Sequence, residues 1–265
     1  MLRSEAAEFF IGWDVGGWNC DSNQSSRDAL VIIDAQREIV GKPWRGNLRL
    51  SINEARSSID WIARLFALCG AEAPPTTAQI TLGVDTPLGF PQAFRQLING
   101  LAPVEWIDGN YDTNPYLFRE TEQFLFDHQI KPLSAIKDMI GSQATKGMHV
   151  LAKFAPQLQQ TGVWTDGAGL QVVEAYPSPC KQSALMSVLL DKYVAAVQNG
   201  QKFWQSEINH QDKFDALVCA LSAWLFGNEP ESLAQPLAEV PEGEGWIWGP
   251  QDALKLRQQG RAMLA

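Results

Sequence analysis

The spacing of hydrophobic positions along this chain predicts an alternation of strands and helices. Short apolar runs bounded by glycine, proline or aspartate are typical of strands, and they occur at Phe9–Val15, Ala29–Asp34, Arg37–Trp44, Gln79–Val84 and Gly169–Ala175. The first three runs follow one another closely, which predicts an antiparallel meander. Helical segments separate the last two, so we expect those strands to be parallel to the first.

Between the strands, apolar residues recur at intervals of three and four, the spacing of one helix face. Helices are predicted at Ser51–Cys69, Gln92–Asn99, Pro115–Asp127, Ser134–Phe154, Lys181–Gln198, His210–Phe226 and Pro250–Leu264. Ser51 and Glu54 have the spacing of a capping box at the start of the first. A short edge strand is predicted at Trp246–Trp248. The expected fold is therefore α/β, with a mixed five-stranded sheet of three antiparallel and two parallel strands flanked by helices.

The chain is long enough for one large domain. It has 265 residues, of which 45% are hydrophobic, and residues 1–265 are predicted to form a single domain. The turn-rich and helical block 101–155 interrupts the alternation of strands and helices, so we expect it to be a helical insertion. Residues 228–265 begin with an acidic, proline-containing connector and are predicted to form a C-terminal extension.

Charge and cysteine content narrow the class of protein. The net charge is −9, which argues against a general nucleic-acid coat protein, because phosphate neutralisation requires a basic surface. The four cysteines show no paired spacing, so a reducing, cytoplasmic location is expected. The first eight residues are too polar for a signal peptide. The longest apolar run, Ala216–Phe226, is too short to span a bilayer, so no membrane association is expected.

Four aspartates occupy positions where an apolar element would not normally carry a charge. Asp14 and Asp85 end predicted strands, and Asp212 and Asp215 lie three residues apart at the start of an apolar helix. An ionised carboxylate in such a setting requires compensation, for example by a metal ion. Turn formation by the first two aspartates, and helix capping by the last two, are the structural alternatives. Convergence of all four at one end of the sheet predicts a site for Mg²⁺ or Mn²⁺.

Other polar residues are open to two interpretations each. Glu174 ends the predicted strand beside that of Asp85, so it is either a ligand or base, or a rim carboxylate bonded to the following turn. His210 precedes the acidic helix and is either a proton shuttle or an exposed residue. Basic residues of the middle block either contact phosphates or form a solvated face; they are Arg95, Arg119, Lys146 and Lys153.

Several of these motifs together resemble a known family. Two strands that end in aspartate, followed by a helix with Asp-x-x-Asp-Ala-Leu-x-x-Ala-Leu, resemble the RNase H-like superfamily. A closer resemblance is to the predicted nuclease family known as domain of unknown function 429. Its motifs are matched by Val84–Pro91, by Arg119–Glu122 as Arg-x-Thr-Glu, by Glu174–Ser178 as Glu-Ala-Tyr-Pro-Ser, by Asp215–Leu217 as Asp-Ala-Leu and by Gly243–Trp248. The resemblance covers about residues 9 to 250.

The resemblance implies an RNase H-like fold and a metal-dependent nuclease. It places Asp14, Asp85 and Asp215 as metal ligands, with Asp212 as a fourth, and DNA or RNA as substrate. The resolvase pattern has glutamate at the position of Asp85, so the ligand here is one methylene shorter. A non-catalytic RNase H-like scaffold is the main alternative. An actin-like ATP-dependent phosphotransferase is a further one, suggested by Asp14-Val15-Gly16-Gly17, although a convincing second phosphate loop is lacking.

Overall fold

The structure of this protein is a computed structural model, which describes residues 6–198 and 201–254. Within these ranges one mixed sheet contains seven strands, namely β1 (Glu8–Asp14), β2 (Asp28–Asp34), β3 (Trp44–Gly46), β4 (Gln79–Asp85), β5 (Gln157–Gln160), β6 (Val163–Thr165) and β7 (Leu170–Glu174). A separate two-stranded ribbon is formed by β8 (Val194–Gln198) and β9 (Gln201–Trp204).

The strand order of the main sheet is β3-β2-β1-β4-β7-β6-β5. Strands β3, β2 and β1 pair in antiparallel fashion, and β1, β4 and β7 run parallel to one another. Strands β6 and β5 then continue the sheet with antiparallel pairing. The expected α/β class, the antiparallel meander and the two parallel strands are confirmed. The expected number of five strands is wrong, because β5 and β6 extend one edge.

Helices cover both faces of the sheet. Their bounds are α1 (Arg49–Glu54), α2 (Ser58–Leu68), α3 (Gln92–Gly100), α4 (Glu120–Asp127), α5 (Gly141–Phe154), α6 (Pro177–Cys180), α7 (Ala184–Asp191), α8 (Gln211–Asn228) and α9 (Gln251–Leu254). Within the described ranges, none of the helices combines the length and apolar character needed to cross a bilayer.

The sheet separates two hydrophobic cores, and the alternation of residues along β1 shows how. Ile11 and Trp13 point to the face covered by α2 and α5, where Trp61 stacks on Phe154 with ring centroids 5.2 Å apart. Phe10 points to the opposite face, which α7, α8 and the C-terminal tryptophans cover. Side chains alternate across a strand, so Gly12 and Asp14 share the α8 face with Phe10.

Several predicted elements differ from those observed. The segment predicted as one helix over residues 51–69 is two helices, and the cap of the second is Ser57, which accepts a hydrogen bond from the Asp60 amide. A capping box at Ser51 is therefore wrong. The third strand is Trp44–Gly46, later than predicted, because Arg37 and Gly41 both have positive φ and turn the chain first. Only an isolated bridge joins Ile39 to Ile33 within the described residues.

The region predicted as one helix over residues 181–198 is also divided. Helix α7 ends at Asp191, and the chain then enters β8. The block 101–155 contains α4 and α5 joined by irregular segments, and α5 begins at Gly141 rather than at Ser134. The predicted strand at Trp246–Trp248 is an isolated bridge between Ile247 and Glu174. Of the predicted terminal helix, α9 is observed, and residues 255–264 lie outside the described residues.

Helix α8 lies against the sheet at two glycines that face each other in register, Gly12 of β1 and Gly83 of β4. A Cβ atom on Gly12 would lie 1.8 Å from the carbonyl oxygen of Ala216, and one on Gly83 would lie 2.4 Å from that of Cys219. Both contacts are with helix backbone, which cannot rotate away as a side chain can. The two glycines therefore determine how closely α8 approaches β1 and β4.

This contact predicts a strong stability effect. Replacing Gly12 by Ala should lower the free energy of unfolding by about 2–3 kcal/mol, the upper range for overpacking, measured by urea denaturation. Gly100→Ala is the matched control, because a Cβ at Gly100 meets nothing within 4 Å, and it should leave stability unchanged or slightly raised. Equal effects of the two substitutions would contradict the proposed packing constraint.

Candidate functional site

Asp14 and Asp85 end adjacent parallel strands and are direct partners in the β1–β4 register. They lie two residues beyond Gly12 and Gly83, so their side chains project from the face that α8 covers. Strand carboxyl ends are the usual binding edge of an open α/β sheet. The structure therefore places the first two predicted site aspartates side by side at that edge.

Helix α8 brings the other two aspartates to the same edge. Asp215 immediately precedes Ala216, the residue whose carbonyl lies over Gly12. Asp212 lies one turn earlier in the helix and is itself buried. The charges of both residues raise the pKa of Asp14, which places them within electrostatic range of it. The four aspartates from three separated segments thus form one acidic region.

The acidic region disfavours its own ionisation. Burial, followed by the charges of Asp85, Asp212 and Asp215, raises the pKa of Asp14 well above its usual range. Burial, followed by repulsion from Asp215 and Glu174, raises the pKa of Asp85 to about 8, although Lys181 opposes this rise. Both side chains retain partial exposure at the surface. A cation that entered here would relieve both desolvation and repulsion.

Asp215 is only partly compensated by its neighbours. The side-chain amide of Gln211 donates to its Oδ2 at 2.9 Å, and the Lys181 ammonium lies 3.2 Å from its Oδ1. The contact with Lys181 is an ion pair without an aligned hydrogen bond, and Asp215 Oδ1 is one of the buried polar atoms left without a hydrogen bond among the described residues. Thr86 Oγ1, directly after Asp85, is another.

Asp212 is more firmly held than Asp215. Its Oδ2 accepts hydrogen bonds from the backbone amide of Arg27 at 2.9 Å and from Nε of Arg45 at 2.7 Å. His210 caps the helix, because its Nδ1 accepts from the Asp212 amide at 3.1 Å. Capping gives His210 a structural role that neither of its two sequence interpretations included. Asp212 links the start of α8 to the loop before β2 and to β3.

Glu174 is committed to a buried ion pair. Arg119 donates to its Oε1 and Oε2 through two nitrogens at 2.7 and 2.8 Å, and the Leu88 amide donates to Oε2 at 3.0 Å. Both Arg119 and Glu174 are almost fully buried. The interpretation as a rim carboxylate bonded to the following turn is wrong, because Glu174 is buried and its carboxylate binds Arg119 and Leu88; the interpretation as a ligand or base stays a prediction. Its bonds position the chain that follows Asp85.

The Arg119–Glu174 pair joins the motifs that carry the family resemblance. Arg119 also binds Glu122 within its own Arg-x-Thr-Glu motif and donates to the carbonyl of Glu244 at 2.9 Å. The Oγ1 atom of Thr121 accepts from the Ile247 amide. At Gly245, with φ +85°, a Cβ would lie 3.2 Å from the Arg119 guanidinium. Residues from four distant motifs therefore meet in one buried network beside Asp85.

A second buried network lies on the other side of Asp14. Asp28 is fully buried and accepts from the amides of Gly16 and Leu48, from the Trp13 indole, and from the Lys146 ammonium. This network, which pattern reasoning missed, holds the loop that follows Asp14. The sequence signal for it was an aspartate directly before the apolar strand Ala29–Ile33.

The basic residues suggested as phosphate contacts have other roles. Arg119 and Lys146 are buried in the two networks, and Lys153 donates to the carbonyls of Ile52 and Asn53. Arg95 donates to the carbonyl of Glu242. Their role as a solvated face is wrong for the two buried residues, and phosphate binding by those two would require breaking buried ion pairs.

A pocket of about 210 Å³ opens at the strand ends and is lined by Asp14, Asp85 and Thr86 together with Tyr176 and Leu133. Its carboxylate and hydroxyl oxygens are the hard ligands that Mg²⁺ and Mn²⁺ prefer. Within the described ranges, no three His, Cys, Asp or Glu side chains already form a metal-ligand group. The donor chemistry of Asp14, Asp85 and Thr86 nevertheless fits a divalent ion.

Comparison with known proteins adds no relative: no family model, no curated protein and no solved structure matches this chain.

The buried arginine network yields a stability prediction. Arg119→Met should lower the free energy of unfolding by about 3–5 kcal/mol, because it leaves the carboxylates of Glu122 and Glu174 buried without their partner. Arg64 is the matched control, since it also pairs with two carboxylates, those of Glu54 and Asp60, but at the surface. Arg64→Met should lose far less stability, because its ion pairs are exposed to solvent. Denaturant titration of both variants measures the difference, and similar losses would contradict the assignment.

The raised pKa of Asp85 predicts that the stability of the metal-free chain, measured with a chelator present, depends on pH. Between its ordinary value of 3.8 and about 8, the folded chain retains a proton that the unfolded chain has lost. Stability contributed by Asp85 therefore falls as pH rises through this window, and the full cost is present above it. Asp85→Asn should flatten this part of the pH–stability curve. Glu72→Gln, at an exposed site, should leave the slope unchanged, and parallel curves for parent and Asp85→Asn would disprove the effect.

Proposed function

We propose that this chain is a metal-dependent nuclease with an RNase H-like fold, which hydrolyses phosphodiester bonds of DNA or RNA with Mg²⁺ or Mn²⁺. One observation carries the proposal. Asp14 and Asp85 are register partners at the carboxyl ends of parallel strands, and α8 brings Asp215 within electrostatic range of both. Clustered carboxylates repel one another and raise the free energy of the folded chain. A bound cation would offset this repulsion, which supports a metal site here.

The strand order supports the RNase H-like assignment. Strands β3, β2, β1, β4 and β7 are neighbours in that order, three in an antiparallel meander and two parallel to the first. This is the arrangement that the resemblance implies, with α8 packed across the central strands. Strands β5 and β6 extend the edge beyond β7 and leave the aspartate end of the sheet open.

The contacts of the four aspartates suggest which of them would bind metal and which would orient the site. Asp14, Asp85 and Asp215 would hold the metal ions, because their carboxylates have few or weakly aligned partners. Divalent ions bound in such a site activate water and stabilise the leaving oxygen of a phosphodiester. Asp212, already bound by Arg45, would orient the start of α8 and one side of the site. Glu174, through its bond to the Leu88 amide, would position the segment that carries Asp85.

The overall acidity of the chain is compatible with a nucleic-acid substrate that is held locally. Bound cations would reverse the sign of the potential at the aspartates, where the phosphate must enter. The remaining surface would then contribute little to affinity, so binding would depend on metal rather than on a broad basic face. All four cysteines are free and buried, which supports the proposed cytoplasmic location.

A non-catalytic metal-binding or interaction scaffold is the second candidate. The observation that favours its interaction form is the lack, among the described residues, of a group of three side chains arranged to hold an ion. A scaffold of this kind would retain the two buried networks and the closely packed α8 without turnover. Mn²⁺ binding without cleavage would identify the metal-binding form.

The nuclease proposal predicts metal-dependent cleavage. Purified protein should cleave at least one member of a panel of single-stranded, duplex and branched DNA and RNA with Mg²⁺ or Mn²⁺, and none with chelator. Asp14→Asn and Asp215→Asn should remain folded, lose Mn²⁺ binding in calorimetry, and reduce cleavage by about 100-fold or more, a loss of several kcal/mol of transition-state stabilisation. Gel assays with labelled substrates measure the rates.

Glu72→Gln is the control for that panel, since its exposed carboxylate lies outside the proposed site and its rates should equal those of the parent. No cleavage by the parent, or full activity in both aspartate variants, would exclude the nuclease function.

A further inference from the structure

Lys181 differs from the other cations near the aspartates. It directly follows α6, and Cys180 before it is buried against α8 through a contact with Ser222 of 3.7 Å between Sγ and Oγ. The backbone of Lys181 is thus fixed, while its side chain remains 46% exposed. Its ammonium lies 3.2 Å from Asp215 Oδ1.

Three other basic groups near the site are committed elsewhere. Arg45 binds Asp212, Arg119 binds two glutamates in the core, and Lys146 binds Asp28 in full burial. Each would leave a carboxylate uncompensated if it moved. Lys181 can move at little cost, because an exposed ion pair contributes little to stability and its contact with Asp215 lacks an aligned hydrogen bond.

Position and charge define two alternative partners for this ammonium. Without a divalent ion, the nearest anion is Asp215, and Lys181 also lies within electrostatic range of Asp85. A divalent ion held by the same aspartates would repel the ammonium and remove its partner. A phosphate bound at the ion would then be an alternative anion for the exposed Lys181 side chain.

We propose that Lys181 is an exchangeable counter-ion, which neutralises Asp215 in the metal-free chain and contacts a phosphate of the nucleic-acid strand once metal is bound. The phosphate half of this role rests on the proposed nuclease function. The metal half depends only on the aspartates and on divalent ion binding.

An exchangeable counter-ion has opposite effects on two ligands. Removing its charge eliminates a competitor for the aspartates, so Mn²⁺ should bind more tightly. The same change removes one phosphate contact, so nucleic acid should bind more weakly. If Lys181 only supported the fold, its substitution would weaken the binding of both ligands or of neither. Opposite changes in Mn²⁺ affinity and nucleic-acid affinity therefore identify an exchangeable counter-ion.

The test uses the full chain with Lys181→Gln and the charge-retaining Lys181→Arg. The control is Lys202→Gln, since Lys202 also pairs with an aspartate at the surface, Asp191. Calorimetric titration with Mn²⁺ alone should show about twofold to fivefold tighter binding for Lys181→Gln, the range of an exposed charge contact. Lys181→Arg and Lys202→Gln should match the parent. Thermal unfolding of each variant confirms that it is folded.

The second measurement is the anisotropy of labelled single-stranded and branched DNA and RNA, with Ca²⁺ in place of Mg²⁺ to prevent cleavage. Lys181→Gln should bind more weakly and lower the slope of log K against log salt by about 0.7–0.9, the value for one phosphate contact. Lys181→Arg should restore both the affinity and the slope.

The outcomes separate this inference from the proposed function. Unchanged or weaker Mn²⁺ binding in Lys181→Gln would overturn the counter-ion role, as would a parent chain that binds no Mn²⁺. Tighter Mn²⁺ binding with unaltered nucleic-acid affinity would overturn the phosphate contact. A parent that binds Mn²⁺ but no oligonucleotide would refute both that contact and the nuclease, and the metal titration would still decide the counter-ion role.

Discussion

The close approach of α8 to the sheet at Gly12 and Gly83 is the constraint on which the rest of the structure depends. Helix backbone lies where any Cβ on these two residues would be, so the helix can sit this near the sheet only above a pair of glycines in register. The small residues Ala216 and Ala220 of α8 face this contact. Each glycine is two residues from a site aspartate, which couples the packing of the core to the spacing of the carboxylates.

The buried ion pair of Arg119 and Glu174 solves a different problem, namely how to connect segments that are far apart in sequence. A guanidinium offers five donors in a fixed plane, and here they reach Glu122, Glu174 and the Glu244 carbonyl. Burial of these charges contributes little net stability, because desolvation offsets their attraction. Their effect is geometric, since the network joins the segments that carry Leu88, Glu174 and Glu244 beside Asp85.

The sequence predicted those features of fold and site that depend on local patterns. Apolar runs ending in aspartate located β1 and β4, and helical spacing located α8 with Asp212 and Asp215. Strand β5 was missed because Gln157–Gln160 is exposed and has one apolar residue, Leu158, among three glutamines, which leaves no alternation to detect. Lys181 was predicted to begin one long helix over residues 181–198, because the apolar spacing of α7 continues into β8.

Contacts between distant residues were beyond pattern reasoning. Nothing local to Glu174 shows that Arg119 binds it, and nothing local to Asp28 shows that Lys146 is its partner. The role of Gly12 and Gly83 is equally hidden in the sequence, because they allow α8 to approach only when β1 and β4 pair in the observed register. Acidic residues suggested where a site would form, whereas the residues that hold it in place became visible only in three dimensions.

The pairing of β1 with α8 also determines when the site can exist during synthesis. Asp14 and Asp215 are about 200 residues apart along the chain, and domains acquire their long-range contacts as the later segments leave the ribosome. The glycine face of β1 and β4 remains uncovered until α8 has been made. The carboxylates at the strand ends therefore come together only after a segment about 200 residues beyond Asp14 has been synthesised.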